Sequence, residues 1–143
     1  GYKIFNICHL ENDSKFELTL DAHQVDYQHI NLQYSLPKDT YKVYSKMELT
    51  LGTRGHAQMI PFGLNSKIIS LGSHHKLRYF LEDINSLDWY VNLKDDPSTL
   101  RERINQVFSK VIDSNEVEER LVEEQNKLYQ VTKDNYLEIQ TLI

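Results

Sequence analysis

Short apolar or alternating runs recur along the chain, and between them the apolar positions fall at helical spacing. Residues 4–9 are dense in β-favouring side chains and predict a first, largely buried strand. Glu11-Asn12-Asp13-Ser14 then supplies a turn and a helix cap, with Glu17 placed to complete a capping box with Ser14. Phe16, Leu18, Leu20 and Ala22 also alternate as a strand would, but the cap favours a helix over 14–24. Residues 27–32 alternate as a second strand. Pro37 suits a first helical turn and opens a helix through Met47, with Tyr41, Val43, Tyr44 and Met47 facing inward.

A strand over 49–51, a helix from the following turn and a strand over 67–71 predict another β-α-β unit. Pro61 falls inside that helix, which is expected to kink or stop there, and Gly63-Leu64-Asn65 suits a left-handed exit. Leu77, Phe80, Leu81 and Ile84 mark a helix over 75–84, residues 88–93 a last strand, and Asp96-Pro97-Ser98 the start of a helix carrying Leu100, Ile104, Val107, Phe108 and Val111. Ser114 or Asn115 caps a long final helix with a narrow seam of Val117, Leu121, Leu128 and Val131. A coiled coil would also give such a seam, but the repeat breaks at Glu124 and Asn135. Alternating strands and helices imply parallel strands joined by right-handed crossovers, hence an α/β fold with a mostly parallel sheet flanked by helices.

The length of 143 residues suits one domain, with no repeat or linker to divide it. A net charge of -5 argues against a nucleic-acid binder, whose footprint is a basic face. Cys8 is the one cysteine, which excludes an intrachain disulfide and a Cys-rich zinc site and suits a reducing compartment. No apolar run is long enough to span a bilayer, so a cytoplasmic protein with no membrane span is expected. The chain opens directly in a strand-like run, as a domain excised from a longer protein would.

Candidate chemistry concentrates between Gly52 and Gly63. Gly52 permits a sharp bend, and Arg54, His56 and Gln58 arrive where the amides of a helix N-terminus have no intrahelical partner. Those amides and the helix dipole favour phosphate or carboxylate, Arg54 can add a bidentate charge-assisted pair, and His56 offers a proton donor or acceptor. Ligands of open α/β sheets gather beyond the carboxyl ends of the strands, so a second turn carrying Ser73, His74, His75 and Lys76 should neighbour the first. No metal site is expected, because adjacent histidines diverge and no His pair sits one helical turn apart. A dinucleotide fingerprint is missing, and His9, His23 and His29 read as scattered polar residues. Cys8 reads as core, and Tyr34, Tyr41 and Tyr44 as packing residues.

The run Arg54-Gly55-His56-Ala57-Gln58-Met59-Ile60-Pro61-Phe62-Gly63, followed by Ile68-Ile69-Ser70-Leu71 and Ser73-His74-His75-Lys76, resembles the polysaccharide pyruvyl transferase family. Two Rossmann-like halves face each other across a cleft in that family, as in GT-B glycosyltransferases, and this chain, residues 1–143, resembles the second, carboxyl-terminal half: strongly over its middle third and elsewhere in its pattern of strands and helices. The resemblance implies phosphoenolpyruvate as donor, a sugar or lipid-linked glycan as acceptor, a cyclic pyruvyl ketal as product, and no cofactor. It also implies Arg54 and His56 as the catalytic pair, with Gly55, Ser73, His74 and Lys76 around the substrate and Gln58 positioning the groups that touch it. The first half would be a partner domain lining the other wall, and this half alone should not turn over. Half of a nucleotide-sugar glycosyltransferase, or a non-catalytic binding domain, are the alternative readings.

Overall fold

The computed structural model describes residues 1–72, 75–112 and 114–141 and shows an α/β protein. In chain order the elements are β1 (Phe5–Cys8), α1 (Lys15–Ala22), β2 (Gln28–Asn31), α2 (Pro37–Tyr44), β3 (Leu49–Gly52), α3 (His56–Gly63), β4 (Lys67–Gly72), α4 (His75–Asp83), β5 (Tyr90–Asn92), α5 (Pro97–Ile112) and α6 (Asn115–Thr141). Short 3-10 turns precede α1 and β5. The chain divides into two compact units, Gly1–Lys42 and Val43–Ile143.

All described strand pairs are parallel, but the strands form two sheets rather than the one expected: β1-β2 in the first unit and β3-β4-β5 in the second. The alternating sequence pattern predicts parallel crossovers but does not specify which strands share hydrogen bonds, which is why it merged them. In the first unit the ladder continues past the strand ends, with the amides of Gln28 and Leu32 donating to Ile4 and Cys8 carbonyls at 2.9 and 2.8 Å. The capping box at Ser14 does not form. Ser14 Oγ donates to the Glu11 carbonyl, Asp13 Oδ2 accepts the amides of His9 and Leu10, and Glu17 turns to other partners.

The second unit is built on β4, the middle strand of its sheet. Successive strand residues face opposite sides, and Ile68 and Ile69 are both 0% exposed, so helices cover both faces. Around them pack Phe62 of α3, Leu81 and Ile84 from α4 and its exit, Trp89 and Val91, Val107 and Val111 of α5, and Val117 and Leu121 of α6. Pro61 does not stop α3, which runs to Gly63; the proline lies close enough to the end that its carbonyl accepts the amides of Leu64 and Ser66. Asn65, at φ 64°, takes the left-handed exit.

Polar groups inside this unit are partnered in ways the pattern hides. Lys67, the first residue of β4, is buried; its Nζ donates to the carbonyl of Ile112 at 2.9 Å and pairs with Glu118 at 3.0 Å. A cation thus closes the carboxyl end of α5, where carbonyls have no intrahelical partner. Glu124 is buried too, accepting Asn85 Nδ2 at 3.1 Å and Lys127 Nζ at 2.7 Å. Its bond to Lys127 holds the carboxyl below its ordinary value, with Asn85 adding to the effect and burial opposing it. Arg120 pairs with Asp88 at 2.8 Å and lies over the Trp89 ring at 5.6 Å.

Two expected inward stripes are narrower than predicted. In α2 Tyr44 is buried but Tyr41 is exposed, and the helix ends at Tyr44 rather than Met47. In α6 the seam ends early: Val131 is 55% exposed, and every described residue from Val131 to Thr141 is exposed, Leu137 and Ile139 among them. Leu142 lies outside the described residues. No described helix is long and apolar enough to cross a membrane.

Candidate functional site

Parallel pairing of β3 with β4, with Gly52 opposite Ser70, sends the turns after both strands out at one edge of the sheet. Each strand ends in a glycine that a side chain could not replace without movement. A Cβ on Gly52 would lie 2.7 Å from the Ala57 carbonyl oxygen, so its absence lets the first turn of α3 close against the strand. A Cβ on Gly72 would lie 2.5 Å from the Tyr90 ring, whose hydroxyl donates to the Gly72 carbonyl at 3.0 Å.

From the first turn come Arg54, which is exposed, and Gly55, the residue before α3, which has open space where a side chain would stand. His56 is the first residue of α3 and is exposed. Arg54 and His56 each make a further interaction with the protein. From the second turn, Lys76 is exposed in the first turn of α4 and His75 stacks on Tyr79 at 6.2 Å between ring centroids. Ser73 and His74 lie outside the described residues.

Neither α3 nor α4 has an acidic residue in its first turn, a feature shared with α5 but not with α1, α2 or α6. Positive helix ends and basic side chains therefore add at this edge, a combination suited to an anion. The turn after β5 is acidic instead: Asn92 Nδ2 donates to Asp95, and Asp96 accepts the amide and hydroxyl of Ser98, which hold its carboxyl below its ordinary value. The cationic rim is thus confined to the turns after β3 and β4.

Gln58 lies behind the turn rather than on its surface. It is 0% exposed, its Nε2 donates to Ser70 Oγ, and no described group pairs with its Oε1. Sealed between α3 and β4, it fixes the helix to the strand and holds the turn bearing Arg54 and His56 in place. The shallow groove of about 450 Å³ lined by Met59, Phe62, Phe80 and Tyr129 does not include any of the rim residues.

A grouping in the first unit has no counterpart among the motifs of the sequence. Asn6 and Cys8 alternate onto one face of β1, and His29 of β2 stands opposite Asn6 in register. Glu17 of α1 reaches this face, where Oε1 meets His29 Nδ1, accepts Asn6 Nδ2 at 2.8 Å and lies 4.0 Å from Cys8 Sγ. The hydrogen bonds from His29, then Asn6, hold the Glu17 carboxyl below its ordinary value. Burial raises the Cys8 thiol, and the Glu17 and Asp13 carboxylates raise it further. The signal available in the sequence was the shared face of Asn6 and Cys8; the approach of Glu17 and His29 is tertiary.

Comparison with protein-family models, with curated proteins and with solved structures finds no match for the chain.

Proposed function

We propose that the chain is the Rossmann-like, carboxyl-terminal half of a polysaccharide pyruvyl transferase, resembling the second domain of a GT-B-type fold and acting in the cytoplasm. The observation carrying this reading is the pair of basic turns, with Arg54 and His56 on one and Lys76 on the other, leaving neighbouring parallel strands. In a chain of net charge -5, a basic rim at two helix N-termini is suited to a small polyanion, and phosphoenolpyruvate carries both a phosphate and a carboxylate.

In this reaction two hydroxyls of the acceptor sugar add to the central carbon of phosphoenolpyruvate. Its methylene carbon takes a proton and becomes a methyl group, the carbon–oxygen bond to phosphate breaks, and phosphate departs with the second hydroxyl proton. Arg54 neutralises the donor's negative charge and His56 carries a proton between hydroxyl and carbon. Lys76 supports the anion, joined on the family resemblance by Ser73 and His74. Gly55 leaves room for the donor, and Gln58 keeps the turn in place. The acceptor, a sugar or lipid-linked glycan, lies between this half and the other half of the enzyme.

The test is an assay of the two-half enzyme with phosphoenolpyruvate and glycan acceptors, read by the mass of the pyruvylated product and by phosphate release. His56→Ala should lower turnover about a hundred- to ten-thousandfold with folding unchanged. Transfer of sugar from a nucleotide donor, with none of pyruvate, would replace this reading with the glycosyltransferase one.

A further inference from the structure

We propose that Cys8, Glu17 and His29 form a three-ligand site for a borderline divalent cation of the Zn²⁺ type, with a fourth position left for water or a small ligand. The inference is independent of the pyruvyl-transfer reading, since all three residues lie in the unit Gly1–Lys42 and the basic rim lies in the other.

The donor set is the first argument. One atom from each side chain, a sulfur, a carboxylate oxygen and an imidazole nitrogen, falls within 4.8 Å of the other two. A mixed sulfur, nitrogen and oxygen set suits Zn²⁺ and not the hard cations Mg²⁺ or Ca²⁺, which take oxygen ligands in greater number. A thiolate and a carboxylate with a neutral imidazole carry two negative charges, which a dication neutralises.

Geometry is the second. Tetrahedral bonds of Zn²⁺ length place ligand atoms about 3.3–3.7 Å apart. Cys8 Sγ and Glu17 Oε1 are already 4.0 Å apart. His29 Nδ1 is hydrogen-bonded directly to Glu17 Oε1 and draws back for an ion to stand between them. Its ring is free to do so, because the side chain is 43% exposed on a strand at the sheet's edge. Asn6 Nδ2 reaches both Glu17 Oε1, at 2.8 Å, and Cys8 Sγ, at 3.4 Å, and so orients two of the three ligands.

Electrostatics are the third. Without an ion, the three side chains form a hydrogen-bond cluster centred on Glu17. A dication binds the thiolate in place of the thiol, so uptake releases the thiol proton. The partial exposure of His29 and Glu17, with side chains 43% and 24% accessible, leaves an entry path to a buried sulfur.

Titration of the metal-free protein with Co²⁺ tests the proposal. Tetrahedral visible bands and a near-ultraviolet thiolate-to-cobalt band should appear together, Zn²⁺ should displace both, and Mg²⁺ should not. His29→Ala and Glu17→Gln should each weaken Zn²⁺ binding by about tenfold or more, and Cys8→Ser should abolish the thiolate band. Circular dichroism of each metal-free variant checks the fold, and His29→Ala, at an exposed position, keeps the test decisive if Cys8→Ser does not fold. Failure of the thiolate band to appear, or Zn²⁺ affinity unchanged in both His29→Ala and Glu17→Gln, would overturn the site and leave the cluster as a hydrogen-bond network only.

Discussion

Gly52 and Gly72 end the two strands from which the basic turns leave, and each lies where a neighbour occupies the space of a Cβ. At Gly52 the obstacle is the backbone of α3 itself, which cannot swing aside as a side-chain tip can. Gly52→Ala should therefore push the first turn of α3 away from β3 and cost about 1–3 kcal/mol in denaturant unfolding; unchanged stability would mean that the turn is looser than its geometry implies. This glycine was legible in the sequence, because a residue without a side chain between an apolar run and a helical run marks a tight turn. Gln58 was not. Its place beside Arg54 and His56 suggested a positioning group, but that it does so by holding α3 to β4 shows only in its burial against Ser70. The burial of Lys67 and Glu124 is not legible either, because a charged side chain is buried only once its partners, the Ile112 carbonyl with Glu118 and Asn85 with Lys127, are in place around it.

Most elements could be read from apolar spacing, since strand and helix periods differ enough to separate β3, α3, β4 and α4 even where each is short. Their boundaries were less legible. Residues 88–93 looked like one strand, yet a 3-10 turn buries Trp89 before β5 begins at Tyr90. The long helix α6 shows the limit most clearly. Its first half is fixed by Val117, Leu121, the Glu124 cluster and the Arg120 contacts with Asp88 and Trp89, and its second half by no buried side chain among the described residues. Sequence periodicity continues through Val131, but periodicity records only a face that could be buried. Helices without tertiary packing are marginal in water, so amide exchange in this chain should be protected through about Leu128 and fast beyond Thr132. Strong protection out to Thr141 in a demonstrated monomer would show that the helix is held along its whole length, contrary to its exposure.

For the whole molecule, the parallel pairing of all its described strands agrees with what alternation predicts, while the division at Lys42 and Val43 leaves no trace in composition. The chain carries its anion-seeking groups in one unit and its cysteine, glutamate and histidine cluster in the other, so the two proposals stand or fall separately. The functional account rests on one claim, that the turns after β3 and β4 together receive a phosphate- and carboxylate-bearing donor. Amide chemical shifts of the chain, followed by NMR during titration with phosphoenolpyruvate, test it directly. Saturable shifts should centre on Arg54, His56 and Lys76, be larger than those from inorganic phosphate, and be lost in Arg54→Ala. Shifts that are absent, scattered over the surface, or unchanged in Arg54→Ala would contradict the account.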